Sequence, residues 1–291
     1  MRFVIPWLLL LASGCAVERG EPVFDPQSFA DAAAPDASML SDIGLGSGSG
    51  AATMAGTWLL VHEASTCVVV DEQVTWGSYL IEIAQDGRIL TETRRECEVT
   101  LSPVFGLVAV VPEATLESLR FYPVDSGLVS SLAVGGSYNS STEVGLWGVE
   151  LDDPLADLVP TDPDDPAVFD GDGDGNPGVT FGAAGTTCER YVAHRQVVRY
   201  FGTFVRPNQI DGSSITVTDS NVIGSSMPLC GVNPRITAND EHSRFRMVRI
   251  DGAGESIDLD DDGDGAVSCE EAEPWFERVL ERREQDAANC D

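Results

Sequence analysis

Lysine is absent from this chain of 291 residues: all 17 basic side chains are arginine, against 48 acidic ones, giving a formal net charge of −31. Nucleic-acid binders draw their affinity from basic side chains that neutralise phosphates, so the deficit excludes DNA and RNA as partners. Anionic lipid headgroups are disfavoured for the same reason. Long apolar runs are missing too: the longest, Phe3 to Ala12, falls short of the ~20 residues that a spanning helix needs. Histidine is scarce, limited to His62, His194 and His242. There is no H-E-x-x-H, no G-x-S-x-G, no phosphate-binding loop and no G-x-G-x-x-G after a strand pattern. The chain offers no catalytic motif and reads as a non-enzyme. His194, between Val192 and Gln196, reads as a strand residue, and His242 as a loop residue.

A hydrophobic content of 43% is ordinary for a folded protein, so the charge does not imply disorder. Met1-Arg2, the apolar run and Ser13-Gly14 form a secretory signal over 1–14: one basic residue, an apolar core, then small residues. The segment Leu11-Ala12-Ser13-Gly14-Cys15 resembles the lipobox of bacterial lipoproteins, with Ala12 where that family usually carries Leu. The resemblance implies cleavage before Cys15 and lipidation of its thiol. It also implies an outer-membrane or cell-surface location, since Ala16 replaces the Asp of inner-membrane members. Membrane contact would then come through the N-terminal lipid. Residues 15–55 are poor in large apolar side chains and rich in Ala, Asp, Ser, Gly and Pro, the composition of a flexible linker.

From Gly56 the pattern changes to β. Strands are expected over 56–61, 79–84, 89–101, 104–111, 116–122, 189–199, 214–218 and 245–250, with Asp-Gly turns at 86–87 and 211–212. Within 89–101, Glu92, Arg94, Glu96 and Glu98 alternate with less polar neighbours and are expected on a wet face. The fold class is mainly β, an antiparallel barrel or sandwich across 56–255, with an acidic insertion at 152–178 that holds nine aspartates and no basic residue. A short helix is expected after residue 270. Gly56-Thr57-Trp58 resembles the Gly-x-Trp that opens lipocalins, which implies a barrel and a carrier of a small apolar ligand.

Without Cys15, six cysteines remain: Cys67, Cys97, Cys188, Cys230, Cys269 and Cys290. An even number in an exported chain reads as three disulfides. A faint internal echo pairs Cys67 with Cys97 and Cys188 with Cys230, leaving Cys269 and Cys290. That last pair requires the intervening helix to stop early and the tail to double back. Otherwise the partners differ.

The most specific signal is Asp260-Asp261-Asp262-Gly263-Asp264-Gly265-Ala266-Val267-Ser268-Cys269-Glu270-Glu271. It resembles the twelve-residue EF-hand loop. On matching positions Asp260, Asp262, Asp264 and Glu271 would offer carboxylates to Ca2+, Ala266 its carbonyl and Ser268 its hydroxyl or a water. Val267 falls on the apolar anchor position. The incoming helix is missing, and Pro274 places the start of the outgoing helix near Glu273. A second run, Asp170-Gly171-Asp172-Gly173-Asp174-Gly175, repeats the opening, but has Pro177 at the anchor position and Phe181 in place of the closing Glu. Asp164 or Asp165 could complete a site there. The sequence thus points to a calcium-binding cell-envelope lipoprotein with a structural or binding role, and alternatively to a lipocalin-like carrier.

Overall fold

The structure, a computed structural model, describes residues 53–231 and 236–290; the signal segment and Cys15 lie outside the described residues. Three long strands open it as an antiparallel meander: β1 (Gly56–Val68), β2 (Asp71–Asp86) and β3 (Ile89–Leu101). The expected Asp86-Gly87 turn joins β2 to β3, with Gly87 at φ 62°. Short elements come next: β4 (Ala109–Val110), helix α1 (Glu113–Ser118), β5 (Arg120–Pro123), β6 (Gly127–Val129), β7 (Ser137–Asn139), β8 (Glu143–Trp147) and β9 (Val179–Ala183). The expected strand at 104–111 is a tight turn at Phe105-Gly106 leading into β4, and that at 116–122 divides into α1 and β5 after Pro112, which precedes the first helical residue. Then come β10 (Glu189–Arg206), β11 (Gln209–Ser225), β12 (Ile236–Ala238) and β13 (Arg244–Arg249). Pairing runs β1–β2–β3–β6–β7–β10–β11–β13 and returns to β1, a closed ring of eight strands rather than two repeated units.

Ring closure explains the sequence of β1, where nine consecutive residues from Thr57 to Ser65 are buried. Trp58 and Leu60 point into the barrel with Tyr79, Ile81, Ile83, Leu90, Tyr138, Tyr200, Phe204, Phe245 and Met247. Their neighbours Leu59 and Val61 point outward, under Ile250, Leu259, Val267, Ala272, Phe276, Val279 and Leu280 from the C-terminal segment. A strand buried on both faces needs a continuous apolar run, and β1 has one. The inner residues are each at most 4% exposed, so they fill the barrel beneath Trp58. A chamber for an apolar ligand would leave those faces accessible.

From Ile89 to Arg95 the faces of β3 are the reverse of the expectation; past the register shift opposite Ser78 and Tyr79, Glu98 lies on the outer side, where it accepts from Arg282 at 3.1 Å. Leu90, Glu92 and Arg94 are buried, whereas Ile89, Thr91, Thr93 and Arg95 are exposed. The charged face turns inward because partners wait there. Backbone pairing between β3 and β6 covers only Ile89↔Leu128 and Leu90↔Gly127. Past that point side chains carry the seam. Arg94 Nη2 lies 2.8 Å from Glu92 Oε2 and donates to the Ser141 carbonyl at 3.4 Å. The Tyr138 hydroxyl donates to Glu92 at 2.9 Å, and the Ser141 hydroxyl, with one proton to give, lies between Glu143 at 2.5 Å and Glu92 at 3.1 Å. Gly127 is required here, since a Cβ would stand 2.8 Å from Glu92 Oε1. The Arg94 guanidinium also lies over the Tyr200 ring, 5.1 Å from its centroid.

Residues 269–290 form a strap across the outer faces of β1, β2 and β3, clipped at both ends by Cys97–Cys269 and Cys67–Cys290. These pairings correct the expected Cys67–Cys97 and Cys269–Cys290. Cys67 on β1 and Cys97 on β3 are separated by the whole of β2, while the returning tail passes over each. Cys188–Cys230 is as expected, joining the outer ends of β10 and β11. Between the clips two buried acids hold the tail. Glu72 accepts from Arg283 at 2.6 and 3.1 Å, from the Asp286 amide at 2.6 Å and from Asn289 at 3.1 Å. Glu63 accepts from the Arg283 amide at 2.7 Å and from Arg244 at 2.6 Å.

Buried titratable groups give the fold a pH profile. Burial, helped by Arg94, pushes His62 down to about 3; burial alone takes His194 down to about 4. Burial pushes Glu96 up to about 8 against the opposing hydrogen bond with Tyr79. Burial would also raise Glu72, but Arg283, the Asp286 amide, Ser65 and Asn289 outweigh it and bring the group down to about 2. A depressed histidine is stabilising above its unfolded pKa of about 6.5, and that stability is lost as pH falls toward the native value. Glu72 adds a loss below about pH 4.5. Glu96 acts oppositely: the unfolded chain releases its proton first, so stability falls as pH rises from about 4.5 to about 8. Thermal unfolding followed from pH 3 to 9 should therefore show an acid limb that His194→Phe shallows, and a Glu96→Gln variant whose advantage over wild type grows up to about pH 8. In urea, Arg94→Met should cost about 3–5 kcal/mol by stranding two buried carboxylates, and a second Glu92→Gln change should recover part of it.

Candidate metal centre

The acidic loop after β13 is entered not from a helix but from a one-pair bridge, Asp251↔Asp258, and a short 3-10 turn at Ala253–Glu255. Leu259 then drops into the apolar layer outside β1. From Asp260 the chain coils on itself through aspartate side chains. Asp260 Oδ1 accepts the amides of Gly263 and Asp264 at 2.8 and 3.1 Å, and Oδ2 accepts that of Gly265 at 2.9 Å. Asp262 accepts from the Asp264 amide at 3.0 Å, and Asp264 from the Ala266 amide at 2.9 Å. Gly263 and Gly265 take φ of 74° and 90°, left-handed values that explain both glycines.

This winding brings one carboxylate oxygen each from Asp260, Asp262 and Asp264 within 4.8 Å of one another, and the triad can hold a metal ion. Three carboxylates at that spacing repel pairwise by about 1 kcal/mol even in bulk water, a cost that a bound cation removes. Val267 is buried against the barrel as the apolar anchor, and its carbonyl accepts from Arg95 at 3.1 Å. Cys269 fixes the loop's far end covalently to β3.

The end of the loop differs from the expectation. Helix α2 (Cys269–Ala272) begins directly after Ser268, not at Glu273; Pro274 lies in a subsequent 3-10 turn, and α3 (Phe276–Val279) ends before Leu280. Ser268 is the N-cap of α2 in a reciprocal capping box: Glu271 Oε2 accepts the Ser268 amide at 2.7 Å while Ser268 Oγ accepts the Glu271 amide at 3.2 Å. The spacing Ser-x-x-Glu carries that signal in the sequence. Glu271 Oε1 meanwhile accepts the amides of Asp261 and Asp262 at 2.9 and 3.4 Å, tying the loop's end to its start. Its carboxyl is held below the usual glutamate range first by the Ser268 amide and then by the Ser268 hydroxyl. Ser268 and Glu271 thus stand beside the Asp triad while bonded to each other. Ala266 meets the site through its amide.

The second run folds the same way. Asp170 Oδ1 accepts the amides of Gly173 and Asp174 at 2.8 and 3.1 Å, and Oδ2 that of Gly175 at 2.9 Å, the pattern seen at Asp260. Gly173 and Gly175 take φ of 73° and 90°. Asp170, Asp172 and Asp174 again converge within 4.8 Å and can hold a metal ion. Asp164 and Asp165 do not join them; Asp165 accepts the Ala167 amide in a local turn. Where the closing Glu would stand, hydrogen-bond donors that no sequence pattern signals fix the loop instead. Thr180, at the start of β9, donates its amide to Asp172 at 2.7 Å and its hydroxyl to Asp174 at 2.5 Å, and Thr115 of α1 donates to Asp172 at 3.0 Å. Asp172 Oδ1 is buried with no partner, a lone pair suited to a cation. Burial would raise Asp174, but Thr180 and Asn176 hold it below the usual aspartate range.

Among the histidines, His194 stacks against Trp147 at 4.9 Å and His62 bonds Tyr200 at 3.2 Å, both inside the fold, while His242 is exposed. None joins an Asp triad. Ser268→Ala should lower the melting temperature by an amount equivalent to about 1 kcal/mol, measurable in chelator by thermal unfolding. No protein-family model, curated protein or solved structure matches this chain.

Proposed function

We propose that this is an exported, lipid-anchored cell-envelope protein with a structural or binding role, in which calcium locks the C-terminal strap onto a disulfide-stapled barrel. The observation that carries the reading is the convergence of Asp260, Asp262 and Asp264 within 4.8 Å in a loop whose next residues, Val267 and Cys269, are fastened to the barrel. Hard oxygen donors at that spacing favour Ca2+ over softer metals. Ala266, Ser268 and Glu271 would complete the shell, with Glu271 rotating from its capping contacts toward the ion. Asp170, Asp172 and Asp174 would take a second ion, and the unpartnered Asp172 Oδ1 supports it.

Three disulfides among the described residues suit an oxidising compartment. Among those residues no helix is long and apolar enough to cross a membrane. Cys15 would supply the anchor. The carrier reading lacks support from the barrel, whose interior is filled.

Titration calorimetry with CaCl2 should give saturable heat with a Kd of about 10⁻⁴–10⁻³ M, the range of extracellular modules. Asp260→Ala should abolish the first site, and equal heats in wild type and variant would end the claim. With calcium at a hundred times Kd, stability should rise by about 2.7 kcal/mol over chelator in thermal unfolding.

A further inference from the structure

Two tight hairpin turns at one end of the barrel carry apolar side chains where turns ordinarily carry Gly, Asn or Asp. Val69 and Val70 form the turn between β1 and β2, with Val69 at φ 64°. Phe105 and Gly106 form a second, closed by paired bonds between Val104 and Leu107, with Phe105 at φ 49°. A β-branched or aromatic residue in left-handed backbone is an outlier that persists where the site has a use for it. The tips are joined, since the Phe105 amide donates to Asp71 Oδ2 at 2.9 Å. Val69, Val70, Phe105 and Leu107 are 54–63% exposed, and Val108 and Val110 lie beside them in sequence. Asp71 stands between the tips and accepts that amide, while the four exposed side chains at the tips themselves carry no charge.

We infer that this end of the barrel docks on the surface of a zwitterionic lipid bilayer, with the tips entering its headgroup layer. The inference rests on the proposed Cys15 anchor, which places a bilayer within reach. Thr53, where the linker meets the fold, is bound by Gln85 and Arg249 at the opposite end of β1. The intervening residues 16–52 can extend to roughly 120 Å at 3.3–3.6 Å each, against about 44 Å for the thirteen residues of β1. The anchor therefore permits either end to face the membrane, and the apolar tips select theirs. A second copy is a poorer occupant. Four exposed side chains on two turns are far fewer than the roughly 20–30 residues a side of a standard protein interface.

The test uses the truncated chain Ala16–Asp291, which holds every described residue but lacks Cys15 and hence the lipid, in flotation with phosphatidylcholine vesicles. Wild type should float. A variant with Val69→Asn, Val70→Ser, Phe105→Asn and Leu107→Ser should bind at least tenfold more weakly with no fall in melting temperature, because Asn tolerates left-handed backbone. Val134→Ser with Val205→Ser, exposed apolar residues at the other end, should leave flotation unchanged. Adding phosphatidylglycerol should weaken binding through charge repulsion. Failure of wild type to float, equal flotation of the tip variant, or a wild-type dimer that the tip variant converts to monomer would each overturn the inference. Mass analysis of Cys15 in the exported protein tests the anchor separately.

Discussion

A buried ion pair closes this barrel. The ring of strands is thin on both sides of β6, with two residue pairs to β3 and two to β7, and beyond the β3 pairs Glu92 with Arg94 takes over. Two desolvated charges are costly on their own, and here Tyr138, Ser141, Glu143 and the Tyr200 ring converge on the pair, leaving Arg94 Nε as its one buried donor without a hydrogen-bond partner. Burial keeps His62 neutral, and Arg94 adds to it, since a cationic imidazole would face the guanidinium in a dry space.

The sequence shows the strands clearly and their facing poorly. Alternation locates β1, β2, β3, β10 and β13, and the Asp-Gly turn after β2, because these depend on near neighbours. Whether Glu92 and Arg94 point to water depends on Tyr138 and Ser141, more than forty positions away, and no local pattern reports them. The cysteines mislead for a related reason. Spacing suggests two copies of one unit, but the strap returning over β1 and β3 supplies partners that nearness in sequence would never select.

The metal loops are legible because their geometry is local. Glycines at matching offsets in 170–175 and 260–265 permit the left-handed turns, and the first aspartate of each winds the chain through the same three amides. The ending of each loop is set by the fold instead. One run closes in a capping box and a covalent link to β3; the other closes on β9, where Thr180 and Thr115 supply hydroxyls and an amide as donors.

The clasp between the first strand and the last residues bears on the order of events in folding. Cys67 and Cys290 are 223 residues apart, and Glu72 stays without Arg283 and the Asp286 amide, and Glu63 without the Arg283 amide, until the tail arrives. Pairings of such separation must meet the entropy of loop closure before they return any stability. A chain emerging N-terminus first therefore exposes its most apolar strand long before the segment that covers it exists. The outer side of Leu59 and Val61 must wait for the final thirty or so residues. Folding is tied to completion of the chain, so a product truncated ahead of the strap would keep that strand uncovered and offer quality-control proteases an open target.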